Sequence, residues 1–508
     1  MTGETECLEA VRSSATKGIS RCQVEMSSGR CGRPIYSSPG NNEEPACLMH
    51  SRDPQKSDSE FQQEFETILT EAADRNEVAD FTRYIFPSAQ YAHREFKARC
   101  WFDHAQFTQK ANFEEAAFTQ DAIFSHATFG QNAIFDRATF VQSAYFYGVT
   151  FTEKAHFCRA RFMQDANFEE ATFTQEACFL LAEFAQKANF KKATFAEVVH
   201  FIQAQFSASA AFRETIFRGD KKRLEARLKE LGLKLEPETD DTLPGPVFSE
   251  AEFSHPEAIV FYKTYLGQAL FHNCDVSRVT FSSVEWRRRK PGGKSMVLEE
   301  EKKFSLGSPV ASALRPGSDS HDERNYRLIA ELYQQLKKNY DDRKDYWTAG
   351  DFHYGEMEMK RLHSRWRSKL LRWWSYHFSL AAWYRRFSAY GESYWKPLLW
   401  LLFFAFVFFP FLYPVPGLEF NPPSGVAPGW LGYSWATFFR MHPAEHPSGF
   451  WGMILHSLMT SLSVAGFQRE LRYVPSYPWG RMVALFELLL TTTLGGLFLL
   501  ALRRQFKR

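Results

Sequence analysis

The most regular pattern of apolar positions runs from Phe102 to Phe217, where Phe recurs with gaps that alternate between five and six residues. A small residue stands two positions before most of these Phe residues, as at Ala105, Ala111 and Ala116. Because side chains alternate along a strand, residues two apart share one face. A single short strand cannot bury that face alone, so the pattern predicts strands that stack on one another.

This A-x-F spacing resembles the pentapeptide-repeat family, and the resemblance implies a right-handed quadrilateral β-helix with four five-residue sides per coil. Here every second unit carries one extra residue, which gives an eleven-residue period. Two such periods would make a coil of 22 residues. On that interpretation residues 102–217 form about five coils, roughly 25 Å tall at strand spacing.

The longer units share a polar residue that recurs every eleven positions and would form two vertical ladders at opposite corners. Its members are Gln109, Gln120, Gln131, Gln142, Glu153, Gln164, Gln175, Gln186 and Glu197. Amide side chains in such ladders can bond one another between stacked strands. Solvated corner residues explain the same pattern, and the two interpretations stay open. Neither is catalytic.

Changes in composition and periodicity divide the chain into segments. Their predicted identities are a small zinc-binding-like segment (1–60), a helical lead-in (61–98), the β-helix (99–217), a helical insertion or cap (218–247), further coils (248–286), a linker (287–320), a helical hairpin with a basic interfacial segment (321–396) and a two-span membrane domain (397–508). Residues 323–361 resemble a tetratricopeptide-type hairpin. The fold class is therefore multidomain, with a β-helix, a helical linker and an α-helical membrane domain that contains a re-entrant pore helix.

Three apolar segments lie in the C-terminal quarter. Leu398–Tyr413 carries no charge, and Met482–Leu502 carries only Glu487, so both are predicted to span a membrane. Phe450–Phe467 is uncharged but rich in Ser, Thr and Gly. It is too short and too polar to span, and it suits a re-entrant segment that lines a water-filled space.

Basic residues predict the orientation of the spans. Residues 360–396 hold nine Lys or Arg with interleaved Trp and Tyr, which favours an interfacial helix on anionic lipid of the bilayer. The tail after Leu502 adds four bases, whereas residues 415–480 hold three. This asymmetry places both termini in the cytoplasm of a multi-pass protein of the cell (inner) membrane, and residues 414–447 form an extracytoplasmic turret.

The order of span, turret, re-entrant helix and span over residues 395–508 resembles the two-transmembrane pore domain of potassium-channel type. The resemblance implies a tetrameric homo-oligomer, a permeant cation and a pore and filter region at Thr460, Ser461, Ser463, Val464, Ala465, Gly466 and Phe467. A potassium filter needs backbone carbonyls held by a TVGYG-like run. The Gly-aromatic-Gly-acid ending of that run is missing here, so the selectivity is not defined.

Polar residues inside the second span are candidates for function. A carboxylate within a span is costly and faces a cavity or a partner, unless it reaches the interface by snorkelling. Both interpretations of Glu487 stay open. Thr491, near Gly495 and Gly496, favours close helix packing and oligomerisation.

Near the N-terminus, Cys22, Cys31, Cys47 and His50 are spaced C-x8-C-x15-C-x2-H. Four such ligands complete a closed tetrahedral zinc site, which would fold a segment that otherwise lacks apolar mass. With all four positions filled by protein, the zinc is predicted to be structural. The alternative is a disordered tail with reduced thiols.

Composition and motifs narrow the function. The chain of 508 residues has a net charge of +2, which implies no polyelectrolyte partner. We expect a channel whose cytoplasmic solenoid senses or docks a protein partner; the alternative is a non-conducting membrane scaffold. A topoisomerase-binding DNA mimic is disfavoured, because residues 102–217 hold thirteen acids against nine bases, and no nucleic-acid partner is expected. We expect no enzymatic activity, because no nucleophile elbow, phosphate-binding loop or HExxH motif occurs.

Overall fold

The computed structural model describes residues 21–36, 46–233, 245–290, 293–300, 325–363, 369–415, 418–420, 449–466, 473–475 and 478–506. The predicted turret, Phe467 and the last two residues lie largely or wholly outside these ranges. The described chain forms two compact units, residues 1–339 and 340–508.

Four parallel sheets form a β-solenoid in the first unit. Partners in neighbouring coils are 22 residues apart, as in Phe118 opposite Phe140, so the coil length matches the prediction. The sheet with the most strands has nine, which makes about nine turns and a height of about 38 Å at strand spacing.

Most strands are two residues long. The nine-stranded sheet contains Val78–Asp80, Arg99–Trp101, Ala122–Ile123, Ala144–Tyr145, Ala166–Asn167, Ala188–Asn189, Ala210–Arg213, Ile259–Tyr262 and Thr280–Ser282, and the six-stranded sheet contains Ile85–Phe86, Gln106–Phe107, Thr128–Phe129, Thr150–Phe151, Thr172–Phe173 and Thr194–Phe195. The seven-stranded sheets contain Ala89–Gln90, Ala111–Asn112, Ala133–Ile134, Ala155–His156, Ala177–Cys178, Val199–His200 and Pro246–Val247, and Glu95–Phe96, Ala117–Phe118, Thr139–Phe140, Arg161–Phe162, Glu183–Phe184, Gln205–Phe206 and Glu252–Phe253.

The interior of the solenoid is a set of stacked Phe rings with small residues between them. Phe135 lies between Phe113 and Phe157 with ring centroids 4.9 and 5.0 Å away and nearly parallel planes. It also meets Phe124 and Phe146 edge-on. The Ala two positions before each Phe is buried as well. Each strand thus buries its apolar face against the coils above and below it and against rings on the opposite side of the interior.

Two kinds of corner explain the eleven-residue period. The five-residue sides turn through a residue in the left-handed conformation, such as His104 or Glu115, and this conformation recurs every eleven residues. A Cβ makes that conformation cost about 1–2 kcal/mol. A backbone hydrogen bond to the next coil offsets the cost, as from Glu115 N–H to the Asp136 carbonyl at 2.8 Å.

The polar residues of the longer corners face solvent. Gln109, Gln120, Gln131, Gln142 and Gln186 are all exposed, which favours the solvated-corner interpretation over amide ladders. Side-chain contacts between coils occur elsewhere on the surface, as from Asn189 Nδ2 to Asn167 Oδ1 at 3.0 Å.

The solenoid begins earlier than expected. Residues 78–98, predicted as part of a helical lead-in, form strands, and the helix that precedes them is Asp58–Arg75. Phe81, Phe86 and Tyr91 are buried in the first coil. The pattern hides this coil because Tyr84 and Arg94 stand where Ala stands in later coils.

Helices cover both ends of the solenoid, which otherwise would present unpaired strand edges. The lead helix Asp58–Arg75 packs Phe65 against Phe81, with ring centroids 4.5 Å apart. At the other end lies the capping helix Tyr326–Asp342. Its Asn339 Nδ2 donates to the carbonyls of Val276 and Val279 at 2.9 and 2.7 Å.

Other elements of the first unit are short. Helix Lys221–Glu230 is inserted between coils and buries Leu224 and Leu228. The predicted linker contains an antiparallel strand pair rather than irregular chain alone. The remaining elements are the strand pairs Glu25–Met26 with Gly29–Arg30 and Arg287–Arg288 with Ser295–Met296, and the 3-10 turns Pro256–Ala258 and Leu298–Glu300.

The second unit is helical. It contains Tyr346–Leu362, Lys369–Phe378, Leu380–Ser388, the first apolar helix Trp395–Leu412, the short apolar helix Gly449–Val464, the second apolar helix Pro478–Phe506 and the strand pair Leu418–Phe420 with Tyr473–Pro475. The two longer apolar helices are long and apolar enough to cross a membrane.

We expect Phe135→Ala to destabilise the central coils by about 3–5 kcal/mol, because it removes a buried ring and leaves a cavity. The free energy of opening can be measured by amide hydrogen exchange of the full-length chain, read at Ala133–Ile134 and the strands on either side. Gln131→Ala at an exposed corner is the control and should leave exchange unchanged. Equal protection in both variants would contradict the role of the Phe stack.

Candidate functional site

The short apolar helix packs against both longer apolar helices. Phe409 and Tyr413, at the end of the first apolar helix, form a buried cluster with Met453 of the short helix. Val483 and Leu490 of the second apolar helix pack against the same cluster. Three helices therefore share one apolar core within the second unit.

A buried carboxylate lies at the centre of this contact. The side chain of Glu487 is fully buried, and its two oxygens lie within hydrogen-bonding distance of the hydroxyls of Tyr413 and Ser461. Of the two interpretations left open for Glu487, this geometry favours an internal partner over snorkelling. Thr491, also buried, donates to the Glu487 carbonyl at 2.8 Å and so stays within its own helix.

The first apolar helix contains a π-helical turn at Phe404–Phe408. In this turn Phe409 N–H donates to the Phe404 carbonyl, so it does not serve the Ala405 carbonyl. The next candidate donor is residue 410, which is Pro and has no N–H. The hydroxyl of Ser461 takes its place and donates to the Ala405 carbonyl at 2.9 Å. The short helix thus repairs a break in the backbone bonding of the first apolar helix.

The number of protons in this network limits which of its hydrogen bonds can form at the same time. A serine hydroxyl carries one proton, so Ser461 cannot donate to Ala405 and to a carboxylate at once. A protonated Glu487 satisfies all the groups, because it donates to the Ser461 oxygen while Ser461 donates to Ala405. Tyr413 then donates to the other Glu487 oxygen. We call Ala405, Tyr413, Ser461 and Glu487 the polar clasp.

The residues predicted to form the pore and filter region lie in the short helix and directly after it. Thr460 and Ser461 are buried in the short helix, and Thr460 donates to the His456 carbonyl. Ser463 and Val464, expected to begin the filter, are still helical. The helix continues because no Gly or Pro intervenes before Gly466, which adopts φ +88°. Ala465 and Gly466 form the turn, and Phe467 lies outside the described residues.

The four predicted zinc ligands come together at the start of the first unit. Their ligand atoms all lie within 4.8 Å of one another. Cys47 Sγ is 3.2 Å from His50 Nδ1, Cys22 Sγ is 3.5 Å from the same nitrogen, and Cys31 Sγ is 3.7 Å from Cys47 Sγ. A tetrahedral zinc centre holds its N and S donors about 3.3–3.8 Å apart, so the geometry suits that ion.

The surroundings of the cluster also suit a metal. His50 Nε2 lies 3.1 Å from the Thr82 carbonyl, so Nδ1 is left free to face the sulfurs, which is the arrangement that orients metal-bound histidines. The hydrogen bond from Cys47, with contributions from His50 and Arg33, lowers the pKa of Cys31. A lowered pKa favours the thiolate of Cys31, the form that binds metal.

Sequence reasoning missed two groups of residues. Tyr413 and Ala405 of the polar clasp gave no signal, because the sequence does not show which residues meet across helices. The second group is Asp136, His156 and Cys158 on the solenoid, whose ligand atoms also lie within 4.8 Å of one another. Cys158 forms a disulfide with Cys178. The 22-residue register could have found part of this group, since Asp136 and Cys158 are 22 residues apart.

We expect Ser461→Ala to lower the free energy of unfolding in detergent by about 1–3 kcal/mol, because it leaves the buried Ala405 carbonyl without a donor. Unfolding in mixed micelles of mild and denaturing detergent measures the change. Thr493→Ala is the control, since its exposed hydroxyl donates only to Leu489 of its own helix. A loss in the control as large as in Ser461→Ala would contradict the clasp.

Comparison with protein families bears on the first unit. Residues 95–137, 124–172 and 168–216 match the family described as pentapeptide repeats (9 copies). These matches together cover about a quarter of the chain. No curated protein and no solved structure gives a significant match. Residues 95–216 are thus pentapeptide repeats, and they form the β-solenoid.

Proposed function

We propose that this chain is an ion-channel-like membrane protein. In this proposal a cytoplasmic pentapeptide-repeat solenoid senses or docks a protein partner, and the three apolar helices of the second unit form one subunit of an oligomeric pore. The observation that carries the proposal is the polar clasp, which fixes a short apolar helix between two helices of membrane-spanning length.

The exposure of the longer apolar helices supports membrane insertion. In their most apolar stretches only 22% and 17% of the residues are buried. Leu399, Phe406, Leu489 and Leu499 each expose 48% or more of their surface. The core helix of a soluble protein would bury such side chains, whereas lipid would cover them here.

An ion pair supports two spans with both ends on the same side. Arg504, near the end of the second apolar helix, lies 3.1 Å from Glu392, which immediately precedes the first apolar helix. The outer ends of the two helices are therefore neighbours within the second unit. Together with thirteen bases in residues 360–396 and after Leu502 against three in residues 415–480, this supports a cytoplasmic position for both ends.

The short apolar helix has the properties of a re-entrant element. Its 16 residues reach about 24 Å, which is shorter than the hydrocarbon core. It ends at Gly466, where backbone polar groups leave the helix, and such groups are tolerated at membrane depth only inside protein or beside water. One such subunit cannot enclose a conduit, so the proposal requires a homo-oligomer, a tetramer by the resemblance, with a cation as the permeant ion.

A specific observation favours one alternative. Ser463 and Val464 are helical, and the Gly-aromatic-Gly-acid ending is missing. Few residues therefore remain whose backbone carbonyls could line a filter. A membrane-tethered scaffold that does not conduct is the second candidate function. Both candidates share the anchored solenoid and differ only in conduction.

Cation flux through liposomes that contain the purified full-length protein separates the two. We expect flux from an oligomer, and about tenfold less from Gly466→Ala, because a Cβ strains the φ of +88° by about 1–2 kcal/mol. Gly232→Ala is the control, since its φ of +69° brings a similar strain at an open position in the first unit, outside the apolar helices. No flux from a well-folded oligomer would favour the scaffold, and a strict monomer would overturn the pore.

We also propose that Cys22, Cys31, Cys47 and His50 hold a structural zinc that fixes the N-terminal segment to the first coil. Met49 supports this link, because its carbonyl accepts a hydrogen bond from Ile85 N–H at 2.9 Å. Zinc would supply the cross-link that a segment with so few apolar residues lacks.

We expect Cys47→Ser to lower the zinc content of the purified chain by one ion, as measured by elemental analysis, and to increase hydrogen exchange at residues 46–50 and 80–86. Cys274→Ala, a buried free cysteine outside the cluster, should retain that ion. An unchanged zinc content in Cys47→Ser would refute the zinc site.

A further inference from the structure

A second group of metal-ligand types lies on the outer surface of the solenoid. Ligand atoms of Asp136, His156 and Cys158 all lie within 4.8 Å of one another, and all three residues are half-buried. Cys178 Sγ is bonded to Cys158 Sγ, with the two Cα atoms 5.7 Å apart. The oxygen, nitrogen and sulfur donors of Asp136, His156 and Cys158 therefore lie close together, and the disulfide brings Cys178 Sγ next to them.

The parallel register of the coils produces this group. His156 stands directly below Cys178, and Cys178 directly below His200, in one column of outward-facing positions. Asp136 and Cys158 occupy the neighbouring column, one coil apart, and Asp136 Oδ1 accepts a hydrogen bond from Cys158 N–H at 2.8 Å. Other coils carry Asn112 or Ile134 in the first column, so the ligand types are confined to the middle coils.

His200 adds an independent observation beside the group. Its side chain is only 5% exposed, and its Nε2 lies 3.1 Å from Glu176 Oε1. Its Nδ1 is buried without a hydrogen-bond partner in the described part of the chain. Buried nitrogens rarely lack a hydrogen-bond partner. This face of the solenoid therefore carries an unsatisfied nitrogen next to the Asp136, His156 and Cys158 group.

We propose that Asp136, His156, Cys158 and Cys178, once the disulfide is reduced, bind a zinc-class divalent cation. Two thiolates, one imidazole and one carboxylate are the ligand types that tetrahedral zinc accepts. The donors of Asp136, His156 and Cys158 need to close from within 4.8 Å of one another to about 3.3–3.8 Å, and Cys178 Sγ, released from the disulfide, needs to approach them. Rotation of half-buried side chains provides both movements.

A dithiol reductant is oxidised to its own disulfide, while the Cys158–Cys178 S–S bond accepts two electrons and breaks. Each of the two sulfurs takes up one proton from the dithiol and becomes a thiol. Binding of the divalent cation then releases the two thiol protons. The disulfide and the metal-bound form exclude each other, because the same sulfurs serve in both. The cytoplasmic position of the solenoid rests on the proposed function. In the reducing cytoplasm the two cysteines stay as thiols, which favours the metal-bound form over the disulfide.

Cobalt(II) titration of the reduced full-length protein tests the site, since thiolate–cobalt absorption reports the ligands directly. We expect two cobalt ions per chain in the wild type, one at this site and one at the N-terminal cluster. Cys178→Ser should bind one, and His156→Ala should weaken one site by at least tenfold. Wild-type protein oxidised to the disulfide should also lose this site.

The design separates this proposal from the N-terminal zinc. Cys47→Ser removes binding at the N-terminal site alone. If that site binds no metal, the number of cobalt ions bound at the solenoid site can still be measured. Cys274→Ala is the cysteine control and should still bind two ions. Circular dichroism and hydrogen exchange of the coils verify that Cys178→Ser folds, and Cys158→Ser is a second variant if it does not. Two ions in both Cys158→Ser and Cys178→Ser, or one in the reduced wild type that only Cys47→Ser removes, would overturn the proposal.

Discussion

Stacking of Phe rings between coils is the interaction on which the first unit depends. Strands of two residues have almost no stability of their own, and each coil buries its Phe and Ala against the coils above and below and across the interior. The ring-to-ring distance of about 5 Å, as between Phe135 and Phe157, matches strand spacing. Apolar packing and backbone bonding therefore demand the same coil height. The end helices follow from this constraint, because the first and last coils would otherwise expose both rings and strand edges.

A different constraint governs the apolar helices of the second unit. In the membrane-spanning position proposed for these helices no water bonds the backbone groups, so every carbonyl needs a partner inside the protein. Pro410 removes one donor, the π-helical turn shifts another, and Ser461 supplies the replacement to Ala405. Glu487 then completes the bonding of Ser461. Pro410 and Glu487 therefore belong to one hydrogen-bonding network, although each alone is unfavourable in an apolar helix.

The sequence predicts the repeat well because its signal is local and recurs. The coil length and the buried faces follow from the spacing of Phe and Ala, without knowledge of distant contacts. The first coil is not predicted, because Tyr84 and Arg94 break the A-x-F pattern. The polar clasp is not predicted either, because its contacts leave no local pattern: Tyr413 and Ser461 are 74 and 26 residues from Glu487. The end of the short helix at Gly466 depends on where helical bonding stops, which the apolar pattern leaves undefined.

Regular stacking also explains where unusual chemistry can arise in a solenoid. Interior positions are committed to Phe and small residues, so they have no freedom to carry ligands. Outward positions are free to vary, and the register brings residues 22 apart into contact whatever their type. Two substitutions in neighbouring coils, such as His156 and Cys178, are enough to place a nitrogen beside a sulfur on a rigid frame. A site of this kind needs no loop and no change in the fold, because the stacked backbone already supplies the geometry.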